Sequence, residues 1–197
     1  METLCCATFD SSVGPLFLAA SPKGLVALEF EHRVIDPTFD ERKSAGFEKG
    51  RSEKRDGSAL RRNPRQIREE KQSAWQESPR LMQPYVSELE EYFSGNRREF
   101  TFPLDLRGTD FQLACWRALL AIPYGETRTY ADIARAIGKP QAFRAVGMAN
   151  NRNPIAIVVP CHRVIASDGT LCGYGGGLSV KRKLLELEGA LTGTLAA

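Results

Sequence analysis

Between Asp36 and Arg80 the chain carries 12 Lys/Arg and 9 Asp/Glu in 45 residues, and only Phe39, Ala45, Phe47, Ala59, Leu60, Ile67, Ala74 and Trp75 are hydrophobic. Such a stretch cannot bury enough apolar surface to offset the entropy lost on ordering it. It reads as a disordered or loosely helical insertion, and any fold must be assembled from what lies on either side. The whole chain holds 27 Lys/Arg and 24 Asp/Glu, so 15 of each remain outside the segment and the formal net charge of +3 sits within it. Two readings of that excess stay open: a solvated linker, or an arm attracted to phosphates.

Ahead of the insertion, "LCCATF", "LFLAA" and "LVALEF" are short apolar runs separated by "SSVGP" and "SPKG". They predict a small antiparallel sheet. Beyond it, "RLMQPYVSELEEYFSGN" has helical spacing at Tyr85, Leu89, Tyr92 and Phe93, and "EFTFPLDL" reads as a strand returning to that sheet. These pieces give an N-terminal α/β domain over residues 1–102 with the insertion at 36–80, followed by a second domain over 103–197.

The second part is mainly helical. Thr109-x-x-Gln112 is a capping-box pattern ahead of "FQLACWRALLAI", and Thr129 with Asp132 repeats it ahead of a stripe of Tyr130, Ile133, Ala134 and Ile137. Gly138 ends that helix, and Pro140 fits the first turn of the next, "QAFRAVGMANN", on which Phe143 and Val146 point inward and Arg144 does not. Two short helices around a Gly-containing turn make a helix-turn-helix, a unit that often presents its second helix to DNA and often simply packs in a core. "IAIVV" then reads as a strand stopped by Pro160, "GYGGG" as a close-approach loop, and the last helix has Ser179 as N-cap, Val180, Leu184 and Leu187 inward, and Gly189 as its stop.

The five cysteines, at 5, 6, 115, 161 and 172, are odd in number and lack CxxC spacing, so no disulfide framework is expected. Cys5, Cys6 and His32 could converge from neighbouring strands on a metal, but their spacing is irregular and no fourth ligand is evident, so core packing is the reading favoured over a structural zinc; Cys115 in its apolar helix reads as inert packing. The N-terminus has neither the basic nor the apolar region of a secretory signal, and no run of 18 apolar residues occurs; the expected location is the cytoplasm, on the nucleoid or in a nucleus, with no membrane partner.

In "VVPCHRV", Cys161 directly precedes His162. A free thiol with a pKa of about 8.5 is scarcely ionised at neutral pH and needs a base to become a nucleophile. Neighbours in an extended chain point apart, so His162 would act directly or through a water, oriented by an acceptor for which Glu188 is a candidate. The residues alone fit a buried cysteine beside a structural histidine equally well. A cysteine phosphatase is excluded, because Ser167 stands where a Cys-x5-Arg loop needs arginine.

The order "TYADIARAIG", "FRAVGMANNRNP", "IVVPCHRVI", "GYGGG", "KRKLLELEG" resembles the O6-alkylguanine-DNA alkyltransferases over about residues 103–190. The resemblance implies a ribonuclease H-like α/β domain followed by a helical, winged-helix-like domain. It implies a monomer that binds double-stranded DNA in the minor groove, extrudes an O6-alkylguanine and moves the alkyl group irreversibly to Cys161, without a cofactor; O4-alkylthymine stays open as a second substrate. His162 would take the thiol proton through a water, Glu188 would orient it, and Asn153 would hold the active-site turn. Arg144 would fill the vacated stack, and Tyr130 would crowd the 3′ phosphate and donate to the base. The carbonyls of Cys161 and Val164 would accept from the exocyclic amine, and the amides of Tyr174, Gly175 and Gly176 would line the O6 side. Cys172 and Gly175 depart from the family's usual glycine and serine, which leaves tolerance of bulky alkyl groups open. Two other classes remain: a noncatalytic damage-binding module, whose relatives replace the acceptor cysteine, and a cysteine hydrolase, for which His32 is the alternative base.

Overall fold

Residues 4–30 and 75–191 are described by the computed structural model, so His32 and most of the charged insertion lie outside the described residues. Three strands form where the short apolar runs bounded by Gly, Pro and Ser predict them: β1 (Leu4–Ser11), β2 (Gly14–Ser21) and β3 (Gly24–Phe30). β1 pairs antiparallel with β2 through a two-residue turn that sets Ser11 against Gly14, and β2 pairs antiparallel with β3. The last residues of the expected insertion are ordered, however. Trp75–Glu77 makes a short strand, β4, parallel to β1 with Leu4 opposite Trp75, which gives a sheet in the order β3-β2-β1-β4. Trp75 is fixed there by stacking on Phe17, at 5.3 Å between ring centroids.

Helix α1 (Pro79–Phe93) follows at once and buries Met82, Leu89 and Tyr92. These meet Leu16, Leu18 and Leu28 of the sheet in one continuous core. The segment expected to be a returning strand makes a single bridge: Leu25 donates to the Pro103 carbonyl at 2.9 Å, and Asp105 donates to the Leu25 carbonyl at 2.8 Å. Gly24 is what permits this approach, since a Cβ there would sit 2.3 Å from the Pro103 carbonyl oxygen, and its φ of +142° disfavours any side chain.

Both predicted capping boxes are present. Gln112 donates its backbone N–H to Thr109 Oγ1 at 3.3 Å while Thr109 N–H donates to Gln112 Oε1 at 2.9 Å, opening α2 (Asp110–Leu120). Asp132 serves Thr129 the same way at the start of α3 (Tyr130–Ala136), directly after β5 (Arg128–Thr129). The second helix of the pair, α4 (Phe143–Asn151), begins later than expected: Pro140 lies in the preceding turn. Val146 is buried as predicted, but Phe143 is 43% exposed and carries the Arg144 guanidinium over its ring. Trp116 ties α2 to α4 by donating its indole N–H to the Ala149 carbonyl at 3.0 Å.

"IAIVV" is not a strand. Ile155 makes one bridge with Leu28 of β3, and the chain then turns tightly, Val158 donating to Ala156 O and Cys161 to Val159 O. Ile157 sits at φ +70°, which is strained for a β-branched residue. Apolarity here reflects burial, not extension. The turn leads through a short 3-10 turn (Cys161–Arg163) to β6 (Val164–Ile165), parallel to β5. The last helix, α5 (Leu178–Leu187), is capped at Gly177, two residues before Ser179; of the expected stripe Leu184 is fully buried and Val180 and Leu187 pack half-buried against the core, while Lys181 and Leu185 join Leu184 on the buried face. Gly189, at φ +69°, ends it as predicted. No described helix is long and apolar enough to cross a membrane.

Candidate active site

Asn153 shapes the turn that carries Cys161. Its Oδ1 accepts from Ile155 N–H at 3.0 Å, and its Nδ2 donates to the Val159 carbonyl at 2.8 Å and to Cys161 Sγ at 3.1 Å. One amide thus clasps both limbs of the turn and the thiol. Cys161 is 8% exposed and opens onto a small cavity whose walls include Asn150, Asn153, Tyr174 and Gly175.

His162 and Glu188 meet across 26 residues, with Nε2 2.9 Å from Oε1 and both side chains fully buried. Burial opposes charge on Glu188, but hydrogen bonds and charge from His162 and Arg163 outweigh it and hold the carboxyl at about 2. Burial lowers the His162 pKa, assisted by the Arg163 and Lys181 charges and opposed by Glu188. The imidazole is therefore neutral beside an ionised carboxylate. A carboxylate only accepts, so Nε2 carries the proton and Nδ1 presents a bare lone pair. Nδ1 has no protein hydrogen-bond partner.

Three further residues complete this centre, none of which the sequence reading singled out for it. Tyr92, read as part of a helical stripe, donates its hydroxyl to Glu188 Oε1 at 2.7 Å. Arg163 donates through Nε to Glu188 Oε2 at 2.7 Å, through Nη2 to Oε1 at 2.9 Å, and through Nη1 to the Ile122 carbonyl at 2.7 Å. Lys181, fully buried, donates to the carbonyls of Val164 at 2.6 Å and Cys172 at 2.9 Å, and so pins the loop before α5. A lysine at i−3 and i−4 from two apolar helix residues was the legible signal for it.

Val164 is buried, with its carbonyl already accepting Lys181 through one lone pair. Tyr174 is buried against His162 and Phe30, and its hydroxyl has no protein partner. Gly176 lies on the Phe30 ring, where a Cβ would come within 2.8 Å. Tyr130, at the start of α3, accepts from the Cys172 thiol at 3.5 Å, and burial, followed by Cys172, raises its pKa, so the hydroxyl is a proton donor. Arg144 stands apart, exposed on α4. Among the described residues no group of three or more His, Cys, Asp or Glu could hold a metal.

Two family models cover most of the chain: the 6-O-methylguanine DNA methyltransferase ribonuclease-like domain over residues 4–106, and the DNA-binding domain of the same enzymes over 110–190. The chain belongs to the 6-O-methylguanine DNA methyltransferase family. Among its relatives, methylated-DNA--protein-cysteine methyltransferases of Methanosarcina barkeri and Mycobacterium bovis are each 45% identical, over 91% and 92% of this chain and 93% and 90% of their own. A solved structure of Mycobacterium tuberculosis OGT in complex with DNA superposes with a TM-score of 0.71 at 41% identity, covering 95% of this chain and 93% of that one. Like those methyltransferases, the chain combines an N-terminal sheet domain with a helical C-terminal part.

Buried side-chain polar atoms without a protein partner are few among the described residues: Asn150 Nδ2 and Oδ1, His162 Nδ1 and Tyr174 Oη. Asn150 and Tyr174 line the cavity onto which Cys161 opens, and His162 follows Cys161 in the chain. An unsatisfied buried donor or acceptor costs about 1–3 kcal/mol. Their concentration around one thiol is the mark of a site shaped for something other than the protein's own packing.

Proposed function

We propose that the chain repairs O6-alkylguanine in double-stranded DNA by transferring the alkyl group to Cys161, once per molecule. The observation that carries this reading is the buried His162–Glu188 pair, which leaves a bare Nδ1 lone pair on the residue next in the chain to Cys161, whose thiol opens onto a cavity. His162 takes the thiol proton through a water. The thiolate attacks the alkyl carbon in line with the C–O6 bond, so the S–C bond forms as the C–O6 bond breaks. O6 keeps the electron pair, and guanine regains a proton at N1, returned through His162. The thioether has no good leaving group, so Cys161 is not regenerated.

A thiolate at a cavity floor cannot reach a stacked base, so the nucleotide must leave the helix. Exposed Arg144 on α4 fills the gap in the stack, entering from the minor groove, where little sequence is read. Tyr130 crowds the 3′ phosphate and donates to the extruded base. The Cys161 and Val164 carbonyls accept from its exocyclic amine, Val164 through its second lone pair. The Tyr174, Gly175 and Gly176 amides face O6. The chain acts as a monomer, without a cofactor, in the compartment that holds the genome. The division at 102/103 separates the sheet that supports this turn from the helices that meet DNA.

Incubating an O6-methylguanine duplex with the protein adds the mass of one methyl group, located on the peptide holding Cys161, and Cys161→Ala takes up none. Label on another residue, or more than one equivalent released per protein, would sink the reading.

A further inference from the structure

Asn150 lies in the last turn of α4, is nine-tenths buried, and lines the cavity onto which Cys161 opens. Neither end of its amide has a protein partner. Asn153 lines the same cavity but is fully engaged in holding the turn. Glu29 and Asn151 each have an interaction within the protein, and the Tyr174 hydroxyl, which like Asn150 has no protein partner, lines the same cavity but is a single hydroxyl where the amide offers a separate donor and acceptor. Leu28, Phe30 and Ala156 make the rest of the lining largely apolar. A leucine of nearly the same shape would fill the position of Asn150 without the unsatisfied amide.

We infer that Asn150 is a specificity-determining residue whose amide hydrogen-bonds the group being transferred, so that the site favours alkyl groups bearing an oxygen, such as hydroxyalkyl, over hydrocarbons of equal size. This rests on the proposed transfer to Cys161. A hydroxyl entering an apolar cavity loses its bonds to water; here one side chain offers it both a donor and an acceptor. A hydrocarbon leaves the amide buried and unpaired, which is how a polar site rejects an analogue that lacks the matching group. Asn150 serves binding and orientation of the transferred group, while the proton chemistry stays with His162.

The test is single-turnover transfer from duplexes bearing O6-(2-hydroxyethyl)guanine and O6-propylguanine, which match in heavy-atom count, each in competition with O6-methylguanine. The native protein takes hydroxyethyl roughly tenfold faster than propyl. Asn150→Leu and Asn150→Ala bring that ratio to one or below, and Asn150→Leu melts at the native temperature or higher because an unsatisfied amide is gone. A ratio unmoved in either folded variant, no native preference, or a lower melting temperature for Asn150→Leu with an unmoved ratio overturns the inference. If the native protein accepts no alkyl group from any of the three duplexes, the transfer reading itself has failed; if it accepts methyl but the ratio ignores Asn150, only this inference has.

Discussion

Glu188 accepts four hydrogen bonds, from Tyr92, His162 and twice from Arg163, while 5% exposed. That explains how a carboxylate stays charged in a core, and it sets the pH response. Its folded pKa of about 2 lies below the ordinary 4.5, so its contribution, on the order of 3 kcal/mol, is complete above 4.5 and is lost as pH falls towards 2. His162 acts in the same direction from a higher pH. Its folded pKa is below 6.5, so below 6.5 the unfolded chain binds a proton that the folded chain refuses, and stability declines. Melting temperature therefore falls as pH drops below about 6.5 and falls further below 4.5, measurable by calorimetry. Because the folded imidazole stays neutral, the transfer rate holds level as pH passes down through 6.5, and single-turnover rates with half-loss at or above 6.5 would contradict the assignment. Glu188→Gln leaves Arg163 buried without its counter-charge; a loss of about 3–5 kcal/mol is expected in chemical denaturation. Cys161 and His162 were visible in the sequence because they are adjacent. Arg163, next to them, was not singled out, since an arginine is mostly exposed and nothing local says that it turns inward.

The element that matters most is the turn from Asn153 to Cys161. An apolar run ending at a proline carries the sequence pattern of a buried strand, and periodicity cannot distinguish that from a buried turn. What decides it is the Asn153 amide, which binds Ile155 and Val159 at once and forces the limbs together. Asn153→Ala removes three hydrogen bonds. It should cost roughly 2–3 kcal/mol in denaturant unfolding, and slow transfer at least tenfold through misplacement of the sulfur. The capped helices behave differently. Thr109 and Thr129 satisfy orphan N–H groups through contacts three residues away, so their roles were readable from sequence and confirmed in detail. Thr129→Ala, at the cap of the helix that begins with Tyr130, should cost about 1 kcal/mol by thermal melting.

Across the whole molecule, the N-terminal sheet supports the reacting turn. Leu28 of β3 donates to Pro154 and accepts from Ala156, Phe30 packs on Tyr174 and beneath Gly176, and Tyr92 of α1 reaches Glu188. Tyr92→Phe should lower the melting temperature by a few degrees, consistent with a lost bond to a charged group of about 1.5–3 kcal/mol, and slow transfer by less than tenfold, since His162 and Arg163 still hold the carboxylate. A rate loss as large as that of Cys161→Ala would place Tyr92 among the reacting groups instead. The sequence by itself determined β1 to β3, the capped helices, the helix pair and the Cys-His motif, because short apolar runs between turn residues, capping and adjacency are local properties that survive in a linear string. Only the tertiary structure decided that β4 joins the sheet beside β1, that the apolar run before Pro160 folds into a turn, and that Tyr92, Arg163 and Lys181 turn inward. Those outcomes depend on partners as far as 96 residues away, and the stabilisation of a buried charge or amide exists only once the groups that satisfy it have been brought to the same place.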